Sequence, residues 1–116
     1  MIDRMDFAFF MYKLKNVERI DESSFYFADD DTAFESMLGC LPAFADAPYW
    51  VGGCDIPDGT EFPTAEALVN APIFGGRSLR ERWEQVRFVN LYGIAVDDWL
   101  KMEDYEGYLQ RKHLEE

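Results

Sequence analysis

The chain has 116 residues, enough for one globular domain whose core can form without disulfides or a structural metal. Hydrophobic residues make up 48% of it and aromatics 16%, which excludes intrinsic disorder. A net charge of −12 argues against nucleic acid or an anionic membrane as the partner.

The N-terminal stretch MIDRMDFAFFMYKLK sets acids ahead of a very short apolar run, unlike a signal peptide, and no apolar run reaches membrane-spanning length. The expectation is a cytoplasmic protein in which Cys40 and Cys54 are reduced thiols.

In chain order, Asp6 to Leu14 (DFAFFMYKL) reads as a strand buried on both faces, with a helix of that length as the alternative. Ser24 to Ala28 reads as a second strand, and the two can pair as a loose antiparallel hairpin. Thr32 and Glu35 form a capping box behind Asp29, Asp30 and Asp31. Phe34, Met37, Leu38 and Leu41 follow at helical spacing up to Pro42, so a helix is predicted there. Tyr49 to Val51 reads as a short strand, Asp58-Gly59 as a turn, and Thr60 to Phe62 as a brief extended segment. Thr64 caps a short helix over Ala65 to Asn70.

A second capping box, Ser78 with Glu81, predicts a helix bearing Leu79, Trp83 and Val86 on one face, and Phe88 to Tyr92 then reads as a strand. Gly93 marks a turn. Asp97 caps a final helix carrying Trp99, Leu100, Met102, Tyr105 and Leu109, with a break at Gly107 and a mobile tail over Arg111 to Glu116. This order specifies an α+β fold, a mostly antiparallel sheet of about four strands with three to four helices packed on one face, in a single domain over 1–116.

The charge is unevenly placed. Between Arg19 and Arg77 there is no lysine or arginine, while that interval holds Asp21, Glu22, Asp29, Asp30, Asp31, Glu35, Asp46, Asp55, Asp58, Glu61 and Glu66. These eleven acids leave the rest of the chain nearly neutral.

No stretch carries recognisable catalytic chemistry. The only histidine is His113, near the chain end, which argues against Ser-His-Asp or Cys-His catalysis. Cys40 and Cys54 stand apart without histidines, so no zinc site is expected. Asp29, Asp30 and Asp31 lack the alternation of a calcium loop, and Asp55, Asp58 and Glu61 surround a turn. No metal or cofactor is therefore expected. Gly75, Gly76, Arg77 and Ser78 form a weak anion-binding candidate, lacking P-loop or dinucleotide spacing.

The sequence favours a non-enzymatic module that binds a basic protein partner. Asp29, Asp30, Asp31, Asp55, Asp58 and Glu61 supply the charge, with Tyr49 and Trp50 as aromatic anchors. In composition alone the chain resembles small acidic bacterial immunity proteins that neutralise a cognate toxin; no motif carries the resemblance. The alternatives are an enzyme or small-ligand binder with a pocket near Trp50, Cys54 and Gly75 to Ser78, and a self-associating domain, a possible homodimer, whose acidic middle meets the arginines of a second copy.

Overall fold

The computed structural model describes residues 5–115, and Glu116, the last residue of the tail expected to be mobile, lies outside them. Its elements run α1 (Phe7–Lys15), β1 (Ser23–Phe27), β2 (Ser36–Cys40), β3 (Tyr49–Gly52), β4 (Thr60–Phe62), α2 (Ala65–Asn70), a 3₁₀ turn (Trp83–Gln85), β5 (Val86–Leu91), β6 (Ile94–Ala95), α3 (Val96–Met102) and α4 (Tyr105–Glu115). One antiparallel sheet holds all six strands in the order β4-β3-β2-β1-β5-β6. This is the α+β class expected, with two strands more than the four read from the sequence.

The helices cover one face of that sheet. Phe10 of α1 packs on Phe88 with ring centroids 5.5 Å apart, and Leu14, also on α1, accepts the Tyr49 hydroxyl at 3.2 Å through its carbonyl. Trp99 of α3 is fully buried and donates its indole N–H to the Arg19 carbonyl. Tyr105 and Tyr108 of α4 pack against Phe9. Phe25, Phe27 and Phe74 form an edge-to-face cluster beneath them, and Phe88 joins it through a tilted contact with Phe25.

Four local readings are corrected. Asp6 to Leu14 is not a strand but the helix α1, so no hairpin joins it to β1. It contains no β-branched residue, its Ala, Met, Leu and Lys are strong helix formers, and Lys13 and Lys15 sit in the last turn where the dipole favours cations. The helix expected after Thr32 is instead strand β2. Asp30, not Thr32, controls that corner: its carboxylate accepts both the Thr32 N–H (3.0 Å) and the Thr32 hydroxyl (2.8 Å), an Asx turn that competes with helix.

The capping box at Ser78 and Glu81 does form, with reciprocal bonds of 2.9 and 3.0 Å. It closes only a turn and the 3₁₀ segment, because β5 must begin at Val86 to pair with Phe27. Leu79 and Val86 are nonetheless core residues. At the C-terminus the helix begins one residue before Asp97, with Ala95 as its cap. The break falls at Glu103 and Asp104 rather than Gly107, and residues 111–115 belong to α4.

The break has a cause. The Glu103 side chain is fully buried and receives Lys13 Nζ at 2.8 Å on one oxygen and Arg19 Nε at 2.6 Å on the other. This carboxylate thereby ties α1 and the following loop to the α3–α4 corner. Burial pushes its pKa up, but the hydrogen bonds and charges of Arg19 and Lys13 outweigh that and hold it below the usual range.

Candidate functional site on the uncovered sheet face

Cross-strand partners share a face, so the register alone sorts the side chains. On the face away from the helices, Glu61, Trp50 and Gly39 form one row, and Gly52, Met37, Ser24 and Asn90 the next. Tyr26 pairs with Arg87 beyond them. Leu41 continues β2 by donating its N–H to the Pro48 carbonyl at 2.8 Å.

An antiparallel sheet with one wet face ordinarily alternates apolar inside and polar outside. Here β2 and β3 break that rule: their outward positions are Met37, Gly39, Trp50 and Gly52. Met37 is 39% exposed and Leu41 41% exposed, and a Cβ built on Gly52 meets nothing within 4 Å. Charge flanks this apolar centre on two strands, Glu61 on β4 and Arg87 on β5.

Trp50 is held in place. Its indole N–H donates to Asp21 Oδ1 at 2.8 Å, and the same oxygen accepts the Cys40 N–H at 3.1 Å. The ring lies over Gly39, where an added Cβ would stand 2.6 Å from Trp50 Nε1 and overlap the Asp21 carboxylate. Glycine at 39 therefore leaves room for a tryptophan laid across the sheet.

The two acidic clusters meet at one end of the sheet. The loop over 28–35 carries Asp29, Asp30 and Asp31, the loop over 53–59 carries Asp55 and Asp58, and Asp30 and Asp55 line one cleft of about 240 Å³ with Phe34, Cys54, Gly75 and Arg82. Phe34 and Ile56, both exposed, stand among these acids. Arg82 reaches this end, and it is committed: its guanidinium stacks 3.7 Å over the Phe27 ring, bonds Asp29 at 2.8 Å and donates to the Phe74 carbonyl.

Of the residues singled out in the sequence, Glu61 and Trp50 are adjacent on the open face, and Asp29, Asp30, Asp31, Asp55 and Asp58 gather at its acidic end. Tyr49 belongs elsewhere. It faces the helices and is only 8% exposed, and burial pushes its phenol pKa up, so it is a core residue and no anchor. The acids are partly matched inside the chain, since Asp29 pairs with Arg82 and Glu66 with Lys15. For Gly75 and Gly76, both at positive φ, the anion is internal: their N–H groups donate to Asp55 at 3.0 and 2.9 Å. Those bonds hold the Asp55 carboxyl below its usual range. Ser78 N–H goes to Glu81, and the cleft is lined by Cys54 and Gly75 but not by Trp50, Arg77 or Ser78.

Met37, Gly39 and Leu41 are candidate-site residues that helical spacing conceals, and Asp21 lies in the polar turn before β1, where no pattern marks it. Read at a period of two, the run from Met37 to Leu41 puts Met37, Gly39 and Leu41 on one side. No family model, curated protein or solved structure matches this chain, so the reading of the site rests on its geometry.

Proposed function

We propose that the protein is a non-catalytic binding module that docks a basic protein partner on the uncovered face of its sheet, in the manner of an immunity-type inhibitor. The observation that carries this reading is the run of outward positions Met37, Gly39, Trp50 and Gly52, apolar where a solvated sheet face is ordinarily polar. Apolar and aromatic centres supply affinity, and a polar rim supplies partner choice and encounter rate. Glu61 and the Asp29 to Asp31 and Asp55 to Asp58 loops give that rim a negative sign. The same sign disfavours a second copy of this chain as the occupant.

The cleft beside Arg82 supports small-ligand binding less well, because the guanidinium is already bonded to Asp29 and to the Phe74 carbonyl. No helix among the described residues is long and apolar enough to cross a membrane. Both cysteines are free, which suits a reducing compartment, and we read the site of action as the cytoplasm.

The test is capture from the native source on immobilised wild type and on Met37→Asp, a change at an exposed position that leaves the core intact. A basic protein retained by wild type and lost from the variant supports the reading. Equal retention on both, or an acidic partner, overturns it.

A further inference from the structure

Resting on that docking reading, we propose that Trp50 and Glu61 form the seat for one arginine side chain of the partner. Its guanidinium lies on the outward face of the indole and pairs with the Glu61 carboxylate. Trp50 and Glu61 are direct cross-strand partners on β3 and β4, a relation that brings Cβ atoms to about 5 Å. The inward side of the indole is closed by Gly39, and its N–H is taken by Asp21. Trp50 is partly exposed, and no ring or cation among the described residues is stacked on it, which leaves its outward π face to attract a cation.

Glu61 is exposed, and no hydrogen bond or ion pair among the described residues engages it. A carboxylate beside an aromatic face suits guanidinium better than ammonium, because the planar fork stacks and pairs bidentately at once. Among the described residues no guanidinium of the chain fills this place. Arg87, the arginine at the outward positions of this face, lies on β5, three strands from Trp50, and donates to the Glu84 and Val86 carbonyls. The Asp21 bond and the Gly39 contact fix the ring before binding, which lowers the ordering cost of docking.

The experiment is a nuclear magnetic resonance titration of the full chain with acetyl-Gly-Arg-Gly-amide, and with its lysine and citrulline counterparts, to on the order of tens of millimolar at constant ionic strength. The arginine peptide is expected to shift the Trp50 indole N–H and the Glu61 amide saturably. The lysine peptide should do so several-fold more weakly and the neutral citrulline peptide not at all, and Glu61→Gln should abolish the response while leaving the Trp83 and Trp99 indole signals in place. An unresponsive Trp50, an equal response to citrulline or lysine, an unchanged response in Glu61→Gln, or shifts that follow protein concentration and so report a second copy would each overturn the seat. Captured partners that still depend on Met37 would then show that the docking reading stands without it, whereas loss of both would remove the docking reading as well.

Discussion

Asp21 and Trp50, 29 residues apart in sequence, are joined by a 2.8 Å hydrogen bond on the open side of the sheet. One carboxylate oxygen thus holds both the Trp50 ring and the Cys40 amide of β2. Asp21→Ala removes an acceptor from two part-buried donors and is expected to cost about 1–3 kcal/mol in urea unfolding. Asp21→Asn keeps a carbonyl acceptor and should cost visibly less. Equal losses would mean that charge, rather than acceptance, is what the site needs.

Gly39 is required for a different reason, namely space. A methyl group there collides with the indole and with the Asp21 carboxylate, so Gly39→Ala should cost about 1–3 kcal/mol as overpacking, despite alanine's smaller unfolded-state entropy. The accompanying sign is a shifted Trp50 indole resonance. A stabilised variant with that resonance unmoved would contradict the packing described.

The Glu103 junction sets acid stability. Glu103→Gln leaves the buried Lys13 with only the more distant Glu18 carboxylate, at 3.4 Å, as counter-charge and is expected to cost about 3 kcal/mol at neutral pH, the low end for a broken buried pair. The pH dependence has a definite sign. The folded pKa of Glu103 lies below the unfolded value, so its contribution is complete above about pH 4.3 and is lost as pH falls through the folded pKa. Wild type should lose more thermal stability than Glu103→Gln between pH 7 and acid; parallel curves would count against the junction.

Asp55 and the Gly75-Gly76 turn behave likewise on a smaller scale. The Gly75 and Gly76 amides lower the Asp55 pKa, so protonation at acid pH weakens both bonds. Asp55→Ala should speed hydrogen exchange at Gly75 and Gly76 at neutral pH while leaving the exchange of β5 amides unchanged. Unaltered exchange at the glycines would show that the turn stands without its carboxylate.

The α+β class, β3, β4 and α2 were legible in the sequence because each has punctuation with one meaning: Pro48, Asp58-Gly59, and Thr64, whose hydroxyl accepts the Ala67 N–H as a helix cap. The misread stretches carry local signals that long-range pairing or a competing side chain overrides. The Ser78 capping box is made in full yet leads into β5, since Phe25 and Phe27 need Phe88 and Val86 as partners. The stripe Phe34, Met37, Leu41 has helical spacing but is exposed at all three positions, and only Leu38 is core. The acid surplus is legible as composition, and the fold brings Asp30 and Asp55 of it to one cleft. Tyr49 and Trp50, adjacent in sequence, could be told apart only once β3 was placed between β2 and β4, which sends one side chain inward and the other out.

Whether a basic partner sits on the face built by β2 and β3 is decided by a footprint. Peptides selected from a random library on the full chain are titrated into labelled protein, and the perturbed amides are mapped. Cationic peptides bearing apolar residues are expected, with shifts concentrated at Met37, Gly39, Trp50, Gly52 and Glu61 and weakened by salt. Neutral or acidic peptides, or shifts confined to the helical side around Tyr12 and Met102, would contradict it.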